Sequence, residues 1–234
     1  MKKRTLNIIK IGGNIINDAV ALESFLKDFS ALEGTKLLVH GGGKKATELS
    51  ESLGLNPKMV AGRRITDEAT LELVTMVYAG LLNKNIAAQL QKFNCNALGL
   101  SGADANCILS HKRIVETVDY GFVGDVDSVN AQTINMFLKN NITPVFCAIT
   151  HDKNGQLLNT NADTIASEIA VAMSDFYEVE LNYIFELKGV LSTIDDKNSV
   201  IQHINFAKYE QLVEAKIISE GMIPNCCFKA YSKN

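Results

Sequence analysis

Short apolar runs alternate along this chain with amphipathic stretches, and that alternation leaves few ways to fold. LNIIKI (6–11), TKLLVH (35–40), NALGLS (96–101), ITPVFCAI (142–149) and NYIFEL (182–187) each have the length and character of a strand. Residues 67–92 place Leu71, Val74, Tyr78 and Leu81 at helical spacing. Residues 161–173 do the same with Ala162, Ile165, Ala166, Ile169, Ala170 and Met173. The pattern predicts an α/β fold, with a mostly parallel sheet covered by helices. In such sheets ligands sit beyond the carboxyl ends of the strands. Glycines fall at just those places: Gly12-Gly13 after the first run, Gly41-Gly42-Gly43 after the second.

With 234 residues, 47% hydrophobic and 21% charged, the chain suits one soluble domain, or one domain with two lobes. A net charge of -3 and no long basic run argue against a nucleic-acid partner. No apolar stretch reaches the roughly 18 residues of a membrane span. The N-terminus has no signal core, so a cytoplasmic protein is expected. The five cysteines form no CxxC pair and read as reduced thiols; the four histidines lack zinc-site spacing, and no metal cluster is expected. DDKNS (195–199) reads as a polar turn.

Glycine N–H groups, uncovered by side chains and free to take positive φ, can cradle an anion at a strand-to-helix turn. A plain tight turn explains either cluster taken alone. Two clusters at the ends of two strands point to a phosphate site. Gly41, Gly43 and Ala46 satisfy GxGxxA, but the acids about 20 residues on, Asp67 and Glu68, open a helix rather than close a strand. The Walker pattern fails because Lys44 is followed by Lys45 and Ala46. Lys10 interrupts an apolar strand just before the first glycine turn. It belongs either to an exposed strand face or to a site where an ammonium meets phosphates in transfer.

IIKIGG, VHGGGK, GRRIT and LNTNADTIA, in this order, resemble the amino-acid kinase family, over about residues 6–224. The resemblance implies a three-layer αβα sandwich with a central, mostly parallel sheet. Residues 1–178 would form an N-terminal lobe for the acyl-amino acid and for dimerisation, residues 179–234 a C-terminal lobe for the nucleotide. The implied reaction moves the γ-phosphate of ATP, with Mg²⁺ carried on its phosphates, to the side-chain carboxylate of N-acetyl-L-glutamate, in arginine biosynthesis. The N-succinyl analogue and a non-catalytic amino-acid or nucleotide sensor are the alternatives. Under the resemblance Lys10 bridges the phosphoryl group in flight, and Asp163 orients the catalytic lysines. Gly12, Gly13 and Lys188 meet the nucleotide. Gly42 and Gly43 hold the acceptor, Arg64 clamps its α-carboxylate and Asn159 binds its α-side groups. A homodimer joined through the 67–92 helix, with little control by arginine, is implied as well.

The chemistry of these residues agrees. Arginine offers a carboxylate two parallel donors. Surface solvation explains Arg63 or Arg64 equally well, and a first-turn acid in a helix capped by Asn161 explains Asp163. No Ser–His–Asp arrangement can be picked out, and none is needed: a glutamate side chain, with pKa about 4.3, is already ionised near neutral pH. The obstacle is repulsion between anions, so catalysis becomes positioning plus charge neutralisation. On this reading the triple glycine is bare so that the acceptor carboxylate can press against the main chain. One place departs from the family. EGMIPNCCFKAYSKN has Asn225 where a second phosphate lysine is expected, with Lys229 beyond it, and the chain stops about a strand short. A stretch missing from the sequence, a shortened chain and a weakened or inactive kinase all stay open.

Overall fold

The computed structural model describes residues 3–60 and 63–184, and beyond them 192, 193, 196, 199–201, 208, 211, 212, 214 and 215. The chain divides into two units, Met1–Ile184 and Phe185–Asn234. The first runs β1 (Thr5–Ile11), α1 (Gly13–Asn17), α2 (Ala19–Ala31), β2 (Thr35–His40) and α3 (Gly43–Ser52). A short ladder of β3 (Met59–Val60) with β4 (Arg63–Arg64) leads to α4 (Glu68–Thr75), a π-helical segment (Met76–Leu82) and α5 (Asn83–Lys92). Then come β5 (Ala97–Leu100), β6 (Ile108–Lys112), β7 (Val123–Val129), α6 (Ala131–Lys139), β8 (Thr143–Phe146), β9 (Ile149–His151), β10 (Leu157–Thr160), α7 (Ala162–Met173) and β11 (Glu178–Ile184).

Five strands make one sheet in the order β11–β1–β2–β8–β5, with every neighbouring pair parallel. Lys36–His40 of the central β2 are all buried, because both faces of an inner parallel strand are covered. α7 packs on β1, β2 and β11, and against α6, which lies on β8. α2 lies against α5, which packs on β5 and β8. The result is the helix-covered parallel sheet the alternation predicts, in the α/β sandwich the resemblance implies. Leu6, Ile8, Leu37, Leu38 and Phe146 are fully buried in it, each worth roughly 1.5–3 kcal/mol of burial.

A second sheet is not foreseen from the sequence. β10, β7, β6 and β9 pair in a closed ring. Its strands are hard to read because β7 carries Asp125 and Asp127 and β10 is only four residues long. The run 142–149 is correspondingly not one strand. It breaks at Cys147 and Ala148, sending β8 to the main sheet and β9 to the ring. NYIFEL holds the end of a strand that begins at Glu178; its residues after Ile184 lie outside the described ones.

The 67–92 stretch is helical as predicted, with Asp67 accepting from the Thr70 N–H (2.9 Å) as its cap. It is not uniformly α, however. The π segment takes an extra residue into its turns, so the apolar stripe slips by one. Leu71, Val74 and Tyr78 are buried, but Leu81 is exposed and Leu82 takes the core position. Asn83 is carried fully inside. α7 starts under its predicted cap: Asn161 Oδ1 accepts from the N–H groups of Asp163 (2.8 Å) and Thr164 (2.9 Å). In the second unit the Ser192 N–H donates to Ser199 O (2.8 Å) and the Ser199 N–H to Asp196 O (3.0 Å), bonds consistent with the polar turn at 195–199. No described helix is long and apolar enough to cross a membrane.

Candidate active site

The carboxyl ends of β1, β2 and β10 meet at a cleft of about 470 Å³, within the size range of small-molecule sites. Lys10 reaches it from β1. Leu6, Ile8 and Lys10 alternate onto one face of that strand, and Lys10 Nζ lies 2.6 Å from Asp163 Oδ1 in the first turn of α7. The two side chains are only 14% and 9% exposed. That excludes an open strand face for Lys10 and a solvated first-turn acid for Asp163. The two groups form a close, buried ion pair. Burial pushes the Asp163 carboxyl up from its ordinary value, and the Lys10 ammonium beside it opposes that.

Arg64, on β4, is 7% exposed. Its Nη2 donates to Gly43 O (3.0 Å) and Thr47 Oγ1 (2.7 Å). Its Nη1 is buried with no hydrogen-bond partner among the described residues. A buried donor left unpaired is costly, more so on a charged group, and an anion in the cleft would satisfy it. Asn159, from β10, donates through Nδ2 to Thr66 Oγ1 (3.0 Å), and that hydroxyl donates to Arg64 O (3.1 Å). Thr66 thus ties together the two residues read from the sequence as amino-acid clamps.

Lys10, Gly13, Gly42, Gly43, Arg64, Asn159 and Asp163 therefore converge on one cleft. Gly12 differs. Its N–H is not bare, because it donates to Ile184 O (2.9 Å) and extends the β1–β11 pairing. Lys188, Asn225 and Lys229 lie outside the described residues. Lys44, Thr47, Arg63 and Tyr78 also line the cleft without having been assigned a role from the sequence. Lys44 was legible, since it directly follows the glycines; its Nζ donates to Asn14 Oδ1 (3.1 Å). Tyr78 was not, because no local pattern links a residue of the long helix to the glycine turn. Burial raises its phenol's pKa, while neighbouring Arg64 acts the other way.

The triple glycine answers a packing demand in addition to the one the sequence suggests. Left-handed glycines occur elsewhere, at Gly34, Gly54, Gly121 and Gly155. At Gly42 the demand is for room. A Cβ there would lie 2.6 Å from both Tyr78 Cδ1 and Leu82 Cδ1, so the π segment packs directly on the loop. Gly42→Ala is expected to cost about 1–3 kcal/mol by overpacking. Urea unfolding of the variant and the wild type checks this.

A sequence model of the amino acid kinase family matches residues 5–234. The chain is 58% identical to the acetylglutamate kinase of Cytophaga hutchinsonii over 220 residues, 94% of this chain and 83% of that protein. It is 51% identical to the acetylglutamate kinase of Bacteroides fragilis over 222 residues, 95% of this chain and 85% of that protein. Among solved structures, smu.665 from Streptococcus mutans superposes with a TM-score of 0.79 at 27% identity, covering 94% of this chain and 87% of that one.

Proposed function

This chain belongs to the amino acid kinase family, and from that premise we propose that it phosphorylates the side-chain carboxylate of N-acetyl-L-glutamate with ATP, in arginine biosynthesis. The observation that carries the reading is a pair of buried cations at one cleft: Lys10, ion-paired to Asp163, and Arg64, with one guanidinium nitrogen unsatisfied. The first suits a phosphoryl group in transfer and the second a carboxylate. A carboxylate oxygen of the substrate attacks the γ-phosphorus. The bond from phosphorus to the β,γ-bridging oxygen breaks, ADP leaves with the electron pair, and an acyl phosphate results.

Each residue then has a role set by its place. Arg64 and Asn159 hold the α-side of the amino acid. Lys10 neutralises the charge that builds between donor and acceptor, and Asp163 holds the ammonium in place. Gly13, Gly42 and Gly43 let phosphate and acceptor approach the main chain. The cationic and N–H-rich wall, with Lys44 and the start of α3, fits a polyanion. Magnesium, bound to the nucleotide's phosphates, adds charge neutralisation. Residues 179–234 supply the nucleotide lobe in this reading, and Lys188 is its candidate contact. The enzyme works in the cytoplasm as a homodimer, and Met76 and Leu81, exposed along the long helix, favour that element as the contact; sedimentation of the wild type tests the dimer.

The decisive experiment offers ATP and Mg²⁺ with N-acetyl-L-glutamate, N-succinyl-L-glutamate or glutamate, and measures ADP together with acyl phosphate trapped by hydroxylamine. Both products with the acetyl substrate are expected. Products with the succinyl substrate alone would move the assignment to that acyl group. Binding of either without ADP release would make the chain a sensor.

A further inference from the structure

Behind the triple-glycine loop lies a polar network that the reaction above does not use. His40, the last residue of β2, is 0% exposed and takes no part in the cleft wall. Its Nδ1 lies 2.8 Å from Gly41 O, and its Nε2 lies 3.0 Å from Asn83 Nδ2. One neutral tautomer satisfies both contacts: Nδ1–H donates to the carbonyl, and Nε2 accepts from the amide. The Asn83 amide is itself oriented, since its Nδ2 also donates to Val145 O (2.9 Å). Its Oδ1 accepts from Lys84 Nζ (3.2 Å), which also donates to Gly99 O (2.7 Å). β5 leaves space for this group: a Cβ at Gly99 would lie 2.2 Å from Asn83 Oδ1. Burial also lowers the imidazole's pKa to about 4, so the neutral form prevails at neutral pH.

The geometry bears on the cleft through one peptide plane. No cis peptide occurs among the described residues, and in a trans peptide the C=O and N–H point in opposite directions. With Gly41 O held by His40, the N–H of Gly42 is aimed the other way. Gly42 N–H has no acceptor among the described residues, and Gly41 and Gly42 both line the cleft. Were this peptide to turn over, a carbonyl oxygen would meet the incoming anion in place of a donor.

We propose that His40, locked in one tautomer by Asn83, is a positioning residue that holds the Gly41–Gly42 peptide with its N–H toward the acceptor's anionic oxygen. The inference rests on the proposed phosphotransfer for the nature of that anion. His40→Asn keeps a short amide donor for Gly41 O, His40→Gln keeps only the reach toward Asn83, and His40→Leu keeps neither. His40→Leu and His40→Gln are expected to lose on the order of 10²-fold in kcat, with the KM for ATP changed by less than about twofold, while His40→Asn recovers most of the loss. If His40→Leu does not fold, the Gln and Asn pair makes the same comparison.

A second readout needs no turnover. The amide resonance of Gly42 in ¹⁵N-labelled protein should shift when N-acetyl-L-glutamate is added to the wild type and His40→Asn, but not to His40→Gln. If the wild type turns over no acyl-glutamate, the proposed function falls. The Gly42 resonance, titrated with inorganic phosphate, then tests the peptide's orientation on its own. Equal kcat in all folded variants, or a Gly42 shift that ignores residue 40, overturns the proposal. So does a loss of melting temperature with kcat intact, since that marks a purely structural histidine.

Discussion

Lys10→Met is expected to lower kcat by on the order of 10²–10³-fold while the KM for N-acetyl-L-glutamate changes by less than about threefold. Methionine keeps the length of the side chain, so the loss isolates the ammonium. In the proposed mechanism Lys10 acts where charge builds in transit, so its removal would weaken the transition state more than the bound substrate. The variant also leaves Asp163 in a buried place without its cation. The Asp163 carboxyl, already raised by burial, loses the influence that opposed the rise. Its folded-state pKa then stands further above the unfolded one, so the folded protein binds the proton more tightly. The associated stability is present at low pH and is lost as pH rises through the folded value. Thermal melts near pH 5 and near pH 8 should therefore show a larger deficit, relative to wild type, at the higher pH. Adding Asp163→Asn should remove that pH dependence without restoring turnover. Wild-type kcat in Lys10→Met would show that the ammonium takes no part in the reaction.

Arg64→Ala is expected to act on the other parameter. Truncating one partner of a buried charged pair costs about 2–5 kcal/mol, which corresponds to a rise of roughly 30-fold or more in the KM for the acyl-glutamate. The KM for ATP should stay near wild type. Arg64→Lys should not rescue it, because a point ammonium cannot both hold Gly43 O and Thr47 Oγ1 and offer a second planar donor to the substrate. Part of the loss will come from the loop, since Arg64 is clipped to Gly43. Isothermal titration with N-acetyl-L-glutamate in the absence of nucleotide separates binding from turnover. Unchanged affinity in Arg64→Ala would place the α-carboxylate elsewhere.

Much of the site is legible locally because its residues sit at strand ends and helix starts. Lys10 breaks an apolar strand, Asn161 announces a helix, and both patterns concern a few neighbours along the chain. Burial is a different matter. From its residues alone Asp163 reads as a first-turn helix acid, and only the family resemblance links it to the catalytic lysines; the packing of α7 on β1 is what brings it to 2.6 Å from Lys10. The π segment shows the same limit. Helical spacing marks Leu81 as core, but the extra residue in the turn exposes it, buries Leu82 and sends Asn83 inside. The closed ring of β6, β7, β9 and β10 escapes because its strands are short or charged, so period-two alternation is weak.

The order of apolar runs, amphipathic stretches and glycine turns was enough, by itself, to specify a parallel sheet with helices on it and a ligand rim at its carboxyl edge. These follow from periodicity and from the conformations a few adjacent residues can adopt. Tertiary structure alone decided which glycines also serve a neighbour. Gly12 gives its N–H to Ile184, and Gly42 makes room for Tyr78 and Leu82. It alone also turned His40 into the back support of a loop, through Asn83. Such contacts join residues distant along the chain, and their energies depend on close packing and dehydration that no local pattern records.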